Sequence, residues 1–242
     1  MVFSDSQGHF APFGDAEANQ IYTRMYESVL EHRLRPGTRL PEERLAAVFG
    51  VSRAKVRKVL ARFEHEQLIE VQPNRGAQVA EPTVEQSADT LEARRVIEPA
   101  IMRTLAERAT PENIELLRKH TESEYDAVAR RDKHSIIRLA GEFHNLAADL
   151  AGNSALARTM RELSALTCLT ILLYNAPTAA ACLPDDHVHI TDAIEAGDGT
   201  RAAELMLRHL QEVEKSLVFD PASEDPDLEE IFGLSKTHGS GT

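Results

Sequence analysis

The stretch Pro41–Phe63, PEERLAAVFGVSRAKVRKVLARF, decides the fold. It reads as two short helices joined by a tight turn. Leu45, Ala46 and Phe49 share one face of the first helix. Gly50 supplies the positive φ that a sharp helix-to-helix turn requires. Val51 follows as a buried apolar residue, and Ser52 is a good N-cap for the second helix. There Val56, Leu60 and Phe63 repeat at i, i+4 and i+7 and make one apolar stripe. The other face carries Arg53, Lys55, Arg57, Lys58 and Arg62. From Arg44 to Arg62 there are six basic residues and no acidic one. They crowd the start of the second helix, where the helix dipole already favours anions. A helix-turn-helix presents its recognition helix to the major groove in this way. The same pattern also fits an amphipathic helix pair with a solvated basic face, and the neighbouring segments choose between the two.

Downstream, Leu68-Ile69-Glu70-Val71-Gln72 alternates as a strand does. Pro73-Asn74-Arg75-Gly76 is a turn, with Gly76 able to take φ > 0, and Ala77-Gln78-Val79-Ala80 is the return strand. A two-stranded wing with an arginine at its tip, directly after a helix-turn-helix, defines a winged-helix domain. The tip arginine can reach a phosphate or the minor groove.

These residues carry a resemblance. Arg35-Pro36-Gly37, Leu40-Pro41-Glu42, Leu45-Ala46, Gly50-Val51-Ser52-Arg53, Val56-Arg57, Leu60 and Asn74-Arg75-Gly76 with Val79 resemble the GntR family of bacterial transcription regulators over residues 18–82. The resemblance implies operator contacts from Ser52, Arg53, Lys55 and Arg57, and from the wing tip at Arg75 and Gly76. Several members of that family carry a DNA-contacting arginine two residues before the leucine matching Leu45. Here that position is Glu43, and Arg44 stands next to it as the alternative contact, about 100° around the helix.

Of the 242 residues, 42% are apolar and none is tryptophan, which suits a helical core rich in Leu, Ala and Ile. No apolar run is long enough to span a bilayer. The first residues lack the basic-then-apolar pattern of a signal peptide. Cys168 and Cys182 lack metal-ligand spacing and read as reduced cysteines of a cytoplasmic protein. The net charge of −12 is uneven. Residues 18–82 hold eleven Lys/Arg against eight Asp/Glu, whereas residues 83–242 hold sixteen against twenty-eight. A mildly basic reader on an acidic body fits DNA binding through one face.

In order, residues 1–17 read as a loose tail. A helix follows near Asn19–Arg33, with Ile21, Met25, Val29 and Leu30 inside. The winged helix ends at Pro82, and residues 83–89 read as a linker. Residues 90–219 read as an all-helical ligand-binding and dimerisation domain. Its helices run over Thr90–Arg108, from Thr110-Pro111-Glu112 to Arg131, Asp132–Leu150, Ser154–Tyr174, Pro184–Ala196, and from Gly197 to Phe219. Pro177 breaks the long apolar helix, and Thr110 with Pro111 is a helix-start signal. Residues 220–242, rich in Pro, Gly, Ser and acid, read as a disordered tail. The fold class is mainly α: a winged helix-turn-helix, then an antiparallel bundle of about six helices.

The bundle carries three histidines in distinct contexts: His144 in EFHNLAADLAGN, His187 in DDHVHITDAIEAGD and His209 in LMLRHL. With Glu92-Ala93-Arg94 and Ile97-Glu98 they resemble the FCD ligand-binding domain of the FadR subfamily, over residues 88–217. That resemblance implies a divalent metal held by an aspartate and three histidines matching His144, His187 and His209. The aspartate's position, one turn before His144, is Ala140. Three imidazoles alone suit Zn²⁺ or Ni²⁺, with water or a ligand carboxylate completing the shell. The resemblance also implies a small organic-acid effector. Arg94 matches a pocket arginine and could fork onto its carboxylate, or pair with Glu98 one turn on.

Together these readings predict a cytoplasmic, homodimeric regulator and not an enzyme. It would bind a palindromic double-stranded operator, sense a small organic acid and have no membrane partner. A direct metal sensor is one alternative. A metal-dependent hydrolase built on the three histidines is another, but Glu142, two positions from His144, faces away as a base.

Overall fold

The computed structural model describes residues 13–72, 76–174 and 184–219. The elements in order are α1 (Ala16–Leu30), α2 (Glu42–Phe49), α3 (Arg53–His65), β1 (Ile69–Gln72) and β2 (Gly76–Val79). Then come α4 (Val84–Arg108), α5 (Pro111–Arg130), α6 (Lys133–Leu150), α7 (Ser154–Tyr174), α8 (Pro184–Glu195) and α9 (Gly199–Lys215). This is a mainly helical chain whose two described strands form the wing.

Local signals set the boundaries. Asp15 caps α1, accepting from the backbone N–H groups of Glu17 and Ala18. Gly50 ends α2 at φ 68°, where a side chain is strained. The Ser52 hydroxyl accepts from Lys55 N–H at the start of α3. Thr83 with Gln86, and Thr110 with Asn113, close reciprocal capping boxes at α4 and α5. The wing strands pair antiparallel, Ile69 opposite Val79 and Gln72 opposite Gly76. The chain before α2 adds a third, shorter edge: Arg39 bridges Gln78, and Leu40 N–H donates to Ala77 O. The single polar-apolar alternation of that short piece gave no sequence signal.

Four boundaries differ from expectation. Of the tail expected over residues 1–17, residues 1–12 lie outside the described residues, and Phe13 exchanges hydrogen bonds with Asn19 and packs on the core. The first helix, expected from Asn19 to Arg33, runs from Ala16 to Leu30 because Asp15 is its cap. The linker expected over 83–89 is the opening of α4, since the Thr83–Gln86 capping box starts the helix at Val84. The last helix stops at Lys215, short of Phe219. The expected tail over 220–242, Cys182 and the Pro177 break lie outside the described residues.

Two buried clusters organise the packing. In the bundle, Ile101, Met102, Leu105, Leu117, Phe143, Met160, Ile190 and Met206 pack together from five helices and α4. In the reader, Ile21, Met25, Val29, Val56, Leu60 and Phe63 pack with wing residues Ile69 and Val79, and the same cluster takes in Ala165, Cys168 and Leu169 of α7. The reader's core is therefore completed by the bundle. Cys168 is a buried free thiol.

Candidate functional site

The reader face comes first. Arg53 and Arg57, on α3, are both exposed and both held by carboxylates from the first turn of α2. Arg57 Nε and Nη2 donate to the two oxygens of Glu42 at 3.0 and 2.8 Å. Arg53 Nη1 donates to Glu43 Oε1 at 2.9 Å. Lys55 turns back onto the start of α1, where it meets Asp15 at 3.0 Å and also Glu17. The acid-free run from Arg44 to Arg62 is thus folded against acidic residues outside it: Glu42, Glu43 and Glu66 flank it in the chain, and Asp15 and Glu17 come from the start of α1, a compensation that a count along the run does not show. Arg44 is exposed and makes no ion pair among the described residues. Gly76 opens β2 at φ 79°, and Arg75 lies outside the described residues.

The second site lies in the bundle. His144 on α6, His187 on α8 and His209 on α9 are buried, and one ring nitrogen from each falls within 4.8 Å of the others. Each Nδ1 has its own carboxylate. His144 Nδ1 lies 2.5 Å from Glu98 Oε2, His187 Nδ1 lies 2.7 Å from Glu124 Oε1, and His209 Nδ1 lies 3.0 Å from Asp186 Oδ2. In the tautomer that donates through Nδ1–H, each Nε2 keeps its lone pair for a ligand. His187 Nε2 is buried and has no hydrogen-bond partner among the described residues. An uncompensated buried nitrogen is costly, and a divalent ion would satisfy it. Three imidazoles backed by carboxylates are a donor set that fits Zn²⁺ or Ni²⁺. Ala140 sits one turn before His144 and offers no fourth donor.

Electrostatics separate the three carboxylates. Burial would raise Glu98, yet the Arg94 guanidinium and His144 hold its carboxyl down to about 2. Burial pushes Glu124 up to about 8 against the pull of His120 and His209. The hydrogen bond from His209 outweighs burial at Asp186 and lowers it. Burial pushes His187 well down, so it is neutral. Phe143 stacks flat on His187, ring centroids 4.0 Å apart, and closes one side of the cluster.

Arg94 Nε donates to Glu98 Oε1 at 2.5 Å. The ion pair foreseen as the plainer role is present, and Glu98 in turn reaches His144. Arg94 Nη2 is also buried without a partner among the described residues, so the guanidinium retains a donor for a ligand. Sequence reasoning missed Glu124 and Asp186 as partners of the histidines. Asp186 immediately precedes His187 but serves His209, a pairing between helices that adjacency conceals. Glu142, the base a hydrolase would need, is paired with Arg138 one turn before it, at 2.6 Å.

A winged helix joined to a helical bundle with a buried histidine cluster defines a DNA-binding regulator with a built-in sensor domain. Residues 17–79 match bacterial regulatory proteins of the gntR family, and residues 89–212 match the FCD domain. The chain belongs to the GntR family of bacterial transcription regulators, in the FadR subfamily whose second domain is FCD. It is similar to the putative L-lactate dehydrogenase operon regulatory protein of Escherichia coli, at 30% identity over 83% of this chain and 86% of that one. It is also similar to the HTH-type transcriptional repressor RspR of Escherichia coli, at 26% identity over 82% and 87% of the two chains. Among solved structures, Escherichia coli McbR/YncC shares the fold, with a TM-score of 0.74, 18% identity, and 83% and 96% coverage. The matched families are of transcription regulators, not enzymes, and no described helix is long and apolar enough to cross a membrane.

Proposed function

We propose that this regulator is a cytoplasmic homodimeric repressor of a metabolic operon that senses a small organic acid at the histidine cluster. The observation that carries the reading is the cluster itself: three buried imidazoles, each backed by its own carboxylate, with Arg94 tied to one of them through Glu98. His144, His187 and His209 would hold a divalent ion such as Zn²⁺ or Ni²⁺, which when bound supplies an electrophilic anchor for a carboxylate. Arg94 would contribute its spare N–H donor to the same acid. The similarity to a putative L-lactate dehydrogenase operon regulator makes short 2-hydroxy acids the first class to test.

Residues 18–82 would form the reader, with Arg44, Ser52, Arg53, Lys55, Arg57, Arg75 and Gly76 meeting DNA, and the bundle would carry sensing and dimerisation. A two-fold dimer reads a two-fold operator, so each subunit would take one half-site. The test measures metal per subunit by mass spectrometry, beside a His187→Ala/His209→Ala variant. Operator affinity is then titrated with Zn²⁺ or Ni²⁺, with and without L-lactate. Near one ion per subunit, lost in the variant, with an acid-dependent change in affinity, supports the reading. Metal alone switching affinity makes the protein a direct metal sensor, and no metal after reloading removes the ion.

A further inference from the structure

We propose that Glu43 is a specificity-determining residue that reads a cytosine in each operator half-site, beside the guanine contacted by Arg53. The inference rests on the assignment of α3 as the recognition helix.

Glu42 and Glu43 are neighbours in the first turn of α2 but are placed differently. Glu42 is tucked in, 28% exposed, and accepts from the fork of Arg57 with both oxygens, while Arg53 Nη2 lies 3.8 Å from its Oε2, too far for a hydrogen bond. Glu43 is 78% exposed and meets α3 only through Arg53 Nη1, itself on a side chain 56% exposed. So exposed an ion pair contributes little to folding, and Glu42 already supplies a favourable charge at the N-terminus of α2. The fold does not account for Glu43.

On a surface that faces DNA, a carboxylate is repelled by every phosphate within a Debye length of ~8 Å at physiological salt. That repulsion is offset only where the carboxylate finds a donor. In the major groove the donors are the exocyclic amino groups of cytosine and adenine. Adenine's stands beside a ring acceptor that opposes a carboxylate, so a Glu oxygen pairs best with cytosine. Arg53 keeps further N–H donors after giving one to Glu43, and a guanidinium matches the two acceptors of guanine. The linked pair therefore sets one acceptor beside a donor fork, which is the complement of a C·G pair. The contact to Glu43 also limits the rotamers of Arg53 before DNA arrives.

The experiment selects binding sites from a random-sequence duplex library, using the full chain and the Glu43→Ala and Glu43→Gln variants. Affinities are then measured for the selected site carrying each base at the implicated position. The expected result is one fixed cytosine per half-site for the wild type, with other bases about 10-fold weaker. Glu43→Ala should lose that preference, and Glu43→Gln should come to accept adenine, which an amide reads. Thermal unfolding of both variants should match the wild type, as suits an exposed residue. Identical selected sites for wild type and Glu43→Ala overturn the proposal. So does Glu43→Ala binding all sequences tighter by one factor with a steeper salt dependence, for Glu43 would then be a repelling charge only. A wild type that enriches no sequence overturns the recognition-helix assignment as well. That failure is told apart because the first two leave sequence-specific binding intact.

Discussion

The side-chain amide of Asn145 donates to the Tyr26 hydroxyl at 3.3 Å, and so ties the helix that carries His144 to the first helix of the DNA reader. The Tyr26 hydroxyl in turn donates to the Arg161 carbonyl at 2.7 Å. Tyr26 stacks on Tyr22, whose hydroxyl donates to Glu66 at 2.7 Å. Glu66 is the C-terminal cap of α3. Neighbouring helical positions point about 100° apart, so α6 presents His144 to the cluster and Asn145 to the reader at once. A rotation of α6 on ligand binding would act directly on the tyrosine pair.

Tyr26→Phe should uncouple the two halves. The expected outcome is that metal and acid still bind, and operator DNA still binds, but neither metal nor acid alters DNA affinity. Coupling between sites is typically about 1–3 kcal/mol, so a 5- to 150-fold effect should shrink toward none. Fluorescence anisotropy of a selected operator duplex, with and without Zn²⁺ and L-lactate, measures it. Full coupling in the variant would route communication elsewhere, for instance through the Arg138–Glu31 contact at 3.2 Å.

Glu124→Ala should weaken metal binding by about 10- to 100-fold, because a ligating imidazole loses the partner that fixes its ring and tautomer. Equilibrium dialysis against Zn²⁺ would show it. Replacing Glu142, which pairs with Arg138 and not with a histidine, should leave metal affinity unchanged. Equal losses in both variants would mean that the cluster senses general acidity and not a specific backing carboxylate.

The bundle should depend on Phe143, which is fully buried and stacks on His187. Phe143→Ala should cost about 3–5 kcal/mol of unfolding free energy, from lost transfer energy and the cavity left behind. Urea denaturation of the metal-free protein gives the number. A cost under about 1 kcal/mol would mean that the ring is not packed as seen.

Much of this was legible in the chain because its signals are local. The Gly50 turn, the Ser52 cap, the Val56/Leu60/Phe63 stripe and the Thr110-Pro111 start each act within a few residues, and each lies where expected. That His144, His187 and His209 share one centre was implied by the resemblance to the FCD domain and not by local periodicity. What the chain could not show is pairing across elements. Glu124 for His187, Asp186 for His209, and Glu42 for Arg57 join residues whose separations carry no period. The opening of α4 was missed for another reason. Its first turns, Val84–Asp89, have a mixed polar face that reads like a linker until the Thr83–Gln86 box is seen closed.

The grip of Glu42 on Arg57 sets the last expectation. A guanidinium that donates two hydrogen bonds to one carboxylate is oriented before it meets a base, and keeps its Nη1 for contact. Arg57→Ala should therefore weaken specific operator binding by about 1–3 kcal/mol. Arg57→Lys should not restore it, because an ammonium cannot be forked between Glu42 and a guanine. Glu42→Ala leaves the charge of Arg57 in place but frees its rotamers, so it should reduce discrimination between operator and random duplex more than it reduces affinity for random duplex. Titration against both duplexes over a salt series separates these cases. A lysine that fully restores specific binding would make Arg57 a phosphate contact, whose loss is felt equally on every sequence.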